Sequence, residues 1–299
     1  MRFANVLVTG SGGLLGRYVL RELAGRCNVS GFDQKRAPED APQALGDVTN
    51  LAAVREACAG KDAVVHIAAL PNIWSGPGDR IMTVNVTGTW NVLQAAEDAG
   101  VRRVVLCSSD SVVGFTVLSG AMLPPDYVPV DLAHPLRASD PYALSKVLGE
   151  RLGAAFVERG KLEAVALRPV FVLYPEMIPE VLARAQDPAR YKGPMAGGPS
   201  AAGGGPLWHY VDPRDAARAF RLALEVERCA GFEGIFISAA STLAPEPTLE
   251  RLERTLQRRV SVRRPAVYAR NPYAPLYDLA PARDLLGFEP EHDLRHLIP

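Results

Sequence analysis

Cysteine is scarce in this chain: Cys27, Cys58, Cys107 and Cys229 lie far apart, and no two form a CxxC pair. That spacing excludes the usual zinc frame and a disulfide-stapled scaffold. It fits small buried thiols in a reducing compartment, so a cytoplasmic location is expected. The five histidines show no ligand spacing either, and no metal is expected. His66 and His209 sit among apolar neighbours and read as packed or hydrogen-bonded side chains. No apolar run approaches the ~20 residues needed to cross a bilayer. The opening Met1-Arg2-Phe3-Ala4 has no signal-peptide core, so no membrane contact is expected. Lys plus Arg number 33 and Asp plus Glu number 33, leaving a net charge of zero. There is thus no basic field to attract nucleic acid and no acidic tail. No internal repeat is visible, and 299 residues suffice for one large domain or two smaller ones with a proper core.

Two segments then carry chemistry. Asn5-Val6-Leu7-Val8 reads as a short buried strand, and Thr9-Gly10-Ser11-Gly12-Gly13-Leu14-Leu15-Gly16 leads from it into an apolar-periodic helix. Strand, glycine turn and helix bring backbone amides and a helix N-terminus to a pyrophosphate, so Gly10, Gly13, Leu14, Leu15 and Gly16 are candidate cofactor contacts. The glycines follow GxxGxxG rather than GxGxxG spacing, and alone such a loop can also be an ordinary tight turn. The next strand, Asn28-Val29-Ser30-Gly31-Phe32, ends at Asp33. A carboxylate there can accept both ribose hydroxyls of adenosine and would repel a 2′-phosphate. Lys35 and Arg36 can attract that phosphate or form a solvated loop; the carboxylate favours NAD over NADP.

The second segment is Tyr142-Ala143-Leu144-Ser145-Lys146. A tyrosine and a lysine four apart share one helix face, one turn from each other. An ammonium near a phenol favours the phenolate, so Tyr142 is expected to work as a base well below the ordinary phenol pKa of about 10. The pair suits removal of a proton from an alcohol whose carbon loses hydride. Alone, the spacing more often marks a solvated helix face.

Short Val/Ile/Leu/Ala strands alternate with longer helical patterns up to Pro169, which predicts a doubly wound parallel α/β sheet covered on both faces. Helices are predicted over 14–24, 79–99 and 141–159, the last opening on Pro141 and stopped by Gly160. Residues 1–169 are expected to form the nucleotide-binding domain, with sheet and helix elements returning at about 211–240. Residues 170–210 and 241–299 are expected to form a small substrate-binding lobe. Residues 193–206 are almost all Gly, Pro, Ala and Ser, the composition of a mobile surface loop. A helix opens after Val211-Asp212-Pro213 and runs to about 227, and a strand spans 234–238. The stiff stretch carrying Met122, Leu123, Pro124, Pro125, Tyr127, Pro129 and Pro135 can wall one side of a pocket.

Together these residues resemble the extended short-chain dehydrogenase/reductase family, the group of NAD-dependent sugar epimerases and dehydratases. The resemblance covers nearly the whole chain. Gly46-Asp47-Val48-Thr49 is similar to the family's segment beside the adenine, and His66-Ile67-Ala68-Ala69 to the strand end that passes the cofactor. Val84 to Thr89 matches the helix that carries a characteristic asparagine, here Asn85. Cys107 to Gly114 matches the strand and loop that present the catalytic hydroxyl. Leu167-Arg168-Pro169 and Leu285-Leu286-Gly287-Phe288-Glu289-Pro290 match later landmarks. The resemblance implies a Rossmann-like fold, NAD contacts from Asp47, Val48, Ala68 and Ala69, and a homodimer packed through the helices of Asn85 and Tyr142. It implies Tyr142 as general acid/base, and Lys146 as the group that lowers the tyrosine pKa and holds the nicotinamide ribose. Ser109 would orient the substrate oxygen, with Ser111 on the same side if the strand persists. Asn85 would hold a water or backbone link behind the lysine, or serve its own helix.

Departures from the family pattern narrow the reaction. Ser109-Asp110-Ser111 stands where family dehydratases carry Thr-Asp-Glu, so the base for elimination is replaced by Ser111 and dehydration is disfavoured. Trp208 stands near the place of an arginine that meets the diphosphate of nucleotide sugars. Losing such a charge-assisted contact removes roughly 1.5–3 kcal/mol. Arg184, Arg190 and Lys192 upstream can substitute for it or form surface charge, and surface charge is the preferred reading. Val113-Gly114-Phe115 is similar to the same region of uronate dehydrogenases. The first expectation is an NAD-dependent dehydrogenase of a free sugar, sugar acid or similar polyol. The alternatives are an NDP-sugar 4-epimerase with tightly held NAD and a catalytically silent dinucleotide sensor.

Overall fold

The computed structural model describes residues 2–115, 123–186, 208–227 and 231–298. Strands β1 (Asn5–Thr9), β2 (Asn28–Asp33), β3 (Gln43–Leu45), β4 (Ala63–His66), β5 (Arg103–Cys107), β6 (Glu163–Pro169) and β7 (Gly234–Ile237) form one parallel sheet ordered β3-β2-β1-β4-β5-β6-β7. Leu7 lies opposite Ser30 of β2 and Val64 of β4. Alternation along β1 explains the unbroken apolar run: Val6 and Val8 enter one core, and Leu7 enters the other with Phe32, Val64 and Val104. Strand order reverses between β1 and β4, so a crevice opens where the chains leaving their carboxyl ends diverge.

Helix α1 (Leu14–Leu23) buries Leu15, Val19, Leu20 and Leu23 on the first face, where α7 (Pro213–Glu225) packs against it. The second face is covered by α2 (Leu51–Cys58), α4 (Gly88–Asp98) and α5 (Pro141–Glu158). Asp140 caps α5 by accepting the Ala143 amide at 2.8 Å, and Asp212 caps α7, each followed by a proline in the first turn. The helix predicted over 79–99 is interrupted. A short α3 (Gly78–Met82) passes through a π turn at Thr83–Thr87 before α4 begins. The β-branched cluster Thr83, Val84, Val86 and Thr87 is a poor α-helix former, and the wider turn swings Asn85 inward. Strand β5 also ends earlier than expected, at Cys107, because Ser109 accepts the Ser111 amide and opens a 3-10 turn at Asp110–Val113.

A third apolar cluster gathers Leu173, Val181, Trp208, Tyr210, Leu243 and Ile298, with Val181 on α6 (Ile178–Gln186). The remaining helices are α8 (Thr248–Leu256), α9 (Pro265–Arg270) and α10 (Ala280–Leu286). The expected loop over 193–206 lies outside the described residues, as do Met122, Arg190 and Lys192. Among the described residues no helix is long and apolar enough to cross a membrane, and no cluster of potential metal ligands occurs.

His66, at the end of β4, is buried between Thr9 and Thr89. The Thr89 hydroxyl donates to the Asn85 carbonyl at 2.6 Å, so its oxygen accepts from Nε2–H of His66. Nδ1 is left to accept from Thr9, a neutral tautomer set by its neighbours. Burial, and secondarily the Lys146 charge, push its pKa down to about 3. The unfolded histidine binds a proton near pH 6.5 that the folded one refuses, so stability is complete above that pH and falls as pH drops toward 3. Between pH 7.5 and 5.5 the wild type should lose about 1 kcal/mol more unfolding free energy than His66→Gln. Parallel urea titrations check this, and equal losses would reject the assignment.

Candidate active site

A cleft of about 840 Å³ runs across the carboxyl ends of the central strands, from the glycine loop to Trp208, His209 and Tyr277. Gly10, Gly13, Leu14, Leu15, Gly16, Asp33, Val48, Ala68 and Ala69 all border it. Gly10 has φ +74°, and a Cβ there would stand 2.5 Å from the Ala68 amide nitrogen. A Cβ on Gly16 would stand 2.1 Å from the Gly10 carbonyl oxygen, so the loop folds tightly against its own helix. Gly13 is the N-cap of α1 and offers no side-chain cap, and no acidic residue occupies the first turn. The helix therefore presents uncapped amides and positive dipole to the cleft, as a pyrophosphate requires. Asp33 accepts the Gly12 amide through Oδ2 and the Lys35 amide through Oδ1, each at 3.0 Å, which fixes its carboxylate at the end of β2.

Asp47 is not on the cleft wall. Its Oδ1 accepts from the Thr49 amide and hydroxyl at 2.8 Å, and Gln34 donates to Oδ2 at 2.7 Å. Its carboxylate holds the turn, and the neighbouring Val48 faces the cleft instead. Gly46 and Ile67, from the segments expected beside the cofactor, also line the cleft, as do Gly12 and Gln34, which are not expected as contacts. Gly12 has a legible signal in the loop motif; Gln34 has none.

At the other end Ser109, at the head of the 3-10 turn after β5, and Tyr142 and Lys146 of α5 border one stretch of wall. Nζ of Lys146 donates to the Cys107 carbonyl at 2.7 Å and lies 5.7 Å from the centre of the Tyr142 ring. The lysine is buried, and desolvation lowers its pKa. Tyr142 departs from expectation: burial, with the Cys107 thiol adding to it, raises the phenol above its ordinary value, and the Ser109 hydroxyl works against the rise. In the free protein desolvation is the largest influence on this phenol.

Ser111 reaches the cleft by a different route from the one expected, since the strand does not persist and a 3-10 turn carries it. Its Oγ is buried and has no partner among the described residues. Asn85 does not border the main cleft. Its Oδ1 accepts the Leu70 amide at 2.8 Å, and its Nδ2 donates to the Leu70 carbonyl at 3.1 Å and to Oγ of Ser145 at 2.9 Å. These bonds tie the π turn and the cleft edge at Leu70 to Ser145 of α5. A cavity of about 20 Å³ between Asn85, Ser145 and Lys146 has room for one water.

Three further groups shape the site: the partners of Asp110, the ion pair beneath it, and Arg184. Tyr277 donates to Asp110 Oδ2 at 2.8 Å, while Ser109 donates to Oδ1 at 3.3 Å. Burial pushes the Asp110 carboxyl up to about 6 against these bonds. With both oxygens engaged, Asp110 is a poor acid/base for elimination. Under the site, Glu150 of α5 accepts from Ser108 at 2.6 Å and from Arg168 at 2.8 Å through each carboxylate oxygen. Finally, Arg184 is buried and borders the cleft, with its guanidinium 5.0 Å from the Trp208 ring, so it is no surface charge.

Residues 6–233 match the NAD dependent epimerase/dehydratase family, and the chain belongs to that family. NAD is its cofactor, and the open helix N-terminus, the glycines that a Cβ would fill and the carboxylate of Asp33 fit a dinucleotide. L-arabinose 1-dehydrogenase (NAD(P)(+)) of Haloferax volcanii is 31% identical over 226 residues, which span 74% of this chain and 83% of that enzyme. The 2-alkyl-3-oxoalkanoate reductase of Stenotrophomonas maltophilia is 34% identical over 189 residues, 60% of this chain and 56% of that enzyme. Among solved structures, MoeE5 in complex with UDP-glucuronic acid and NAD is similar over 99% of this chain and 96% of its own, with a TM-score of 0.70 and 25% identity. The chain is an enzyme of this family with a seven-stranded Rossmann-like sheet.

Proposed function

We propose that the protein is an NAD-dependent dehydrogenase that oxidises a secondary or anomeric alcohol of a free sugar, sugar acid or similar polyol. The observation that carries this reading is the meeting of Ser109, Tyr142 and Lys146 at the end of a dinucleotide-shaped cleft. NAD, when bound, supplies the hydride acceptor. Ser109 hydrogen-bonds the substrate hydroxyl and holds it toward Tyr142, whose phenolic oxygen takes the proton. Lys146 stabilises the phenolate, and its bond to the Cys107 carbonyl keeps the ammonium in place. Asn85 fixes α5 behind it. In the reverse direction Tyr142 returns the proton to a ketone or lactone. The likeness to an arabinose dehydrogenase supports a free sugar over a nucleotide sugar.

The test is absorbance at the NADH wavelength with purified protein, added NAD, and a panel of free aldoses, uronates, UDP-sugars and a 3-hydroxyalkanoate. Absorbance is expected to rise with a free aldose or uronate. A flat trace from protein that retains its own NAD and interconverts UDP-sugars would replace the reading with a 4-epimerase. A rise with the hydroxyalkanoate alone would replace the substrate class.

A further inference from the structure

His209 stands outside the serine, tyrosine and lysine set, yet its ring borders the same cleft. The Leu276 amide donates to its Nε2 at 3.0 Å, so that nitrogen carries a lone pair and no proton. Burial pushes its pKa down to about 3, and the ring is neutral at physiological pH. A neutral imidazole that accepts at Nε2 must carry its proton on Nδ1. That N–H meets no partner among the described residues, and the ring that carries it borders the cleft.

The ring is also held in place. Tyr277 lies 5.0 Å away, centre to centre, and is itself stacked on Phe236 at 4.5 Å. The Tyr277 hydroxyl is bonded to Asp110, the neighbour of Ser109. One tyrosine therefore touches His209 with its ring and bonds the neighbour of Ser109 with its hydroxyl, and all three residues border the same cleft. Resting on the dehydrogenase reading above, we infer that His209 is a specificity-determining residue: its Nδ1–H donates to a second oxygen of the substrate, a few bonds from the reacting carbon. An acceptor oxygen is rewarded there. A ligand with a bare CH₂ at that place leaves the donor unpaired and is disfavoured.

Two measurements test this. In ¹⁵N-histidine-labelled protein, long-range ¹H–¹⁵N correlation should show His209, assigned by its loss in His209→Phe, as the neutral Nδ1–H tautomer at pH 7. The opposite tautomer or an imidazolium overturns the inference, whatever the enzyme turns over. Next, the Tyr142→Phe protein saturated with NADH allows equilibrium binding of L-arabinose, D-glucuronate and their deoxy analogues by calorimetry. Adding His209→Phe should weaken the parent ligand about tenfold and leave one deoxy analogue unchanged, with NADH affinity unaltered. His209→Gln keeps both an acceptor for Leu276 and a donor, and should stay within about threefold of the parent. Equal weakening of every analogue, or none, overturns the inference. Should His209→Phe fail to fold, assignment passes to His209→Gln, and the Nδ1–H resonance must move on adding ligand; a fixed resonance overturns it. Failure of the dehydrogenase reading shows separately, as absence of NADH formation by the wild type.

Discussion

Tyr142→Phe should lower kcat/KM for alcohol oxidation by about 10²–10⁴ while NAD affinity stays within a factor of two. The substitution keeps the ring, so α5 and the cation–ring contact at 5.7 Å with Lys146 persist, and only the proton acceptor is lost. The pH profile adds a signature. Burial raises the Tyr142 phenol, so the phenolate fraction grows as pH rises and wild-type oxidation should accelerate toward alkaline pH. The reverse reduction uses the protonated phenol and should slow over the same range. In Tyr142→Phe both dependences should flatten. Steady-state rates in both directions from pH 6 to 10 read this out. Unchanged turnover in the variant would remove Tyr142 from the chemistry. Nucleotide binding by a wild type that turns over none of the panel would favour the silent sensor.

Arg168→Met should destabilise the fold by about 3–5 kcal/mol. The guanidinium and the Glu150 carboxylate are 6% and 5% exposed, so truncating the cation leaves an anion buried with only the Ser108 hydroxyl to satisfy it. The space around Arg168 is shaped for it: a Cβ on Gly234 of β7 would stand 2.4 Å from its Nε, so the glycine makes room for the guanidinium. Glu150 lies one turn beyond Lys146 on α5, so loss of the pair should also loosen the helix that carries Tyr142. The double variant Arg168→Met, Glu150→Gln removes the orphaned charge and should recover at least half of the loss. Urea denaturation of the three proteins checks both statements. Equal stability of Arg168→Met and wild type would mean that water reaches Glu150.

Much of the site was legible because it depends on local backbone geometry. Gly10, Gly13 and Gly16 sit where a turn with φ +74° must pass a neighbouring strand and enter a helix. Asp33 ends the short strand β2, two residues beyond Gly31. Tyr142 and Lys146 are one turn apart on a helix whose start is marked by Asp140 and Pro141. These features involve short separations, and side-chain direction follows from the element type.

The rest depended on what distant segments do to one another. Ser111 was placed by continuing β5, but the Ser109 hydroxyl captured the Ser111 amide and turned the strand into a 3-10 turn. Of the two residues expected beside the cofactor in this segment, Val48 borders the cleft, while the Asp47 carboxylate is bonded to Thr49 and Gln34. The interrupted helix around Asn85 answers to Leu70 and Ser145, neither of them near it in the chain.

Order of elements, cofactor class and the placing of Tyr142 and Lys146 on one helix face follow from the amino-acid pattern alone, since each rests on periodicity or on residues within a turn of one another. Proton affinities and substrate contacts do not. Whether Lys146 or desolvation controls Tyr142, and whether His209 is a packed ring or an open donor, depends on segments brought together from across the chain. Leu276 sets the tautomer of His209, and Tyr277 joins it to Asp110. Electrostatics and hydrogen bonding act through space, so these matters were decided only when the chain folded.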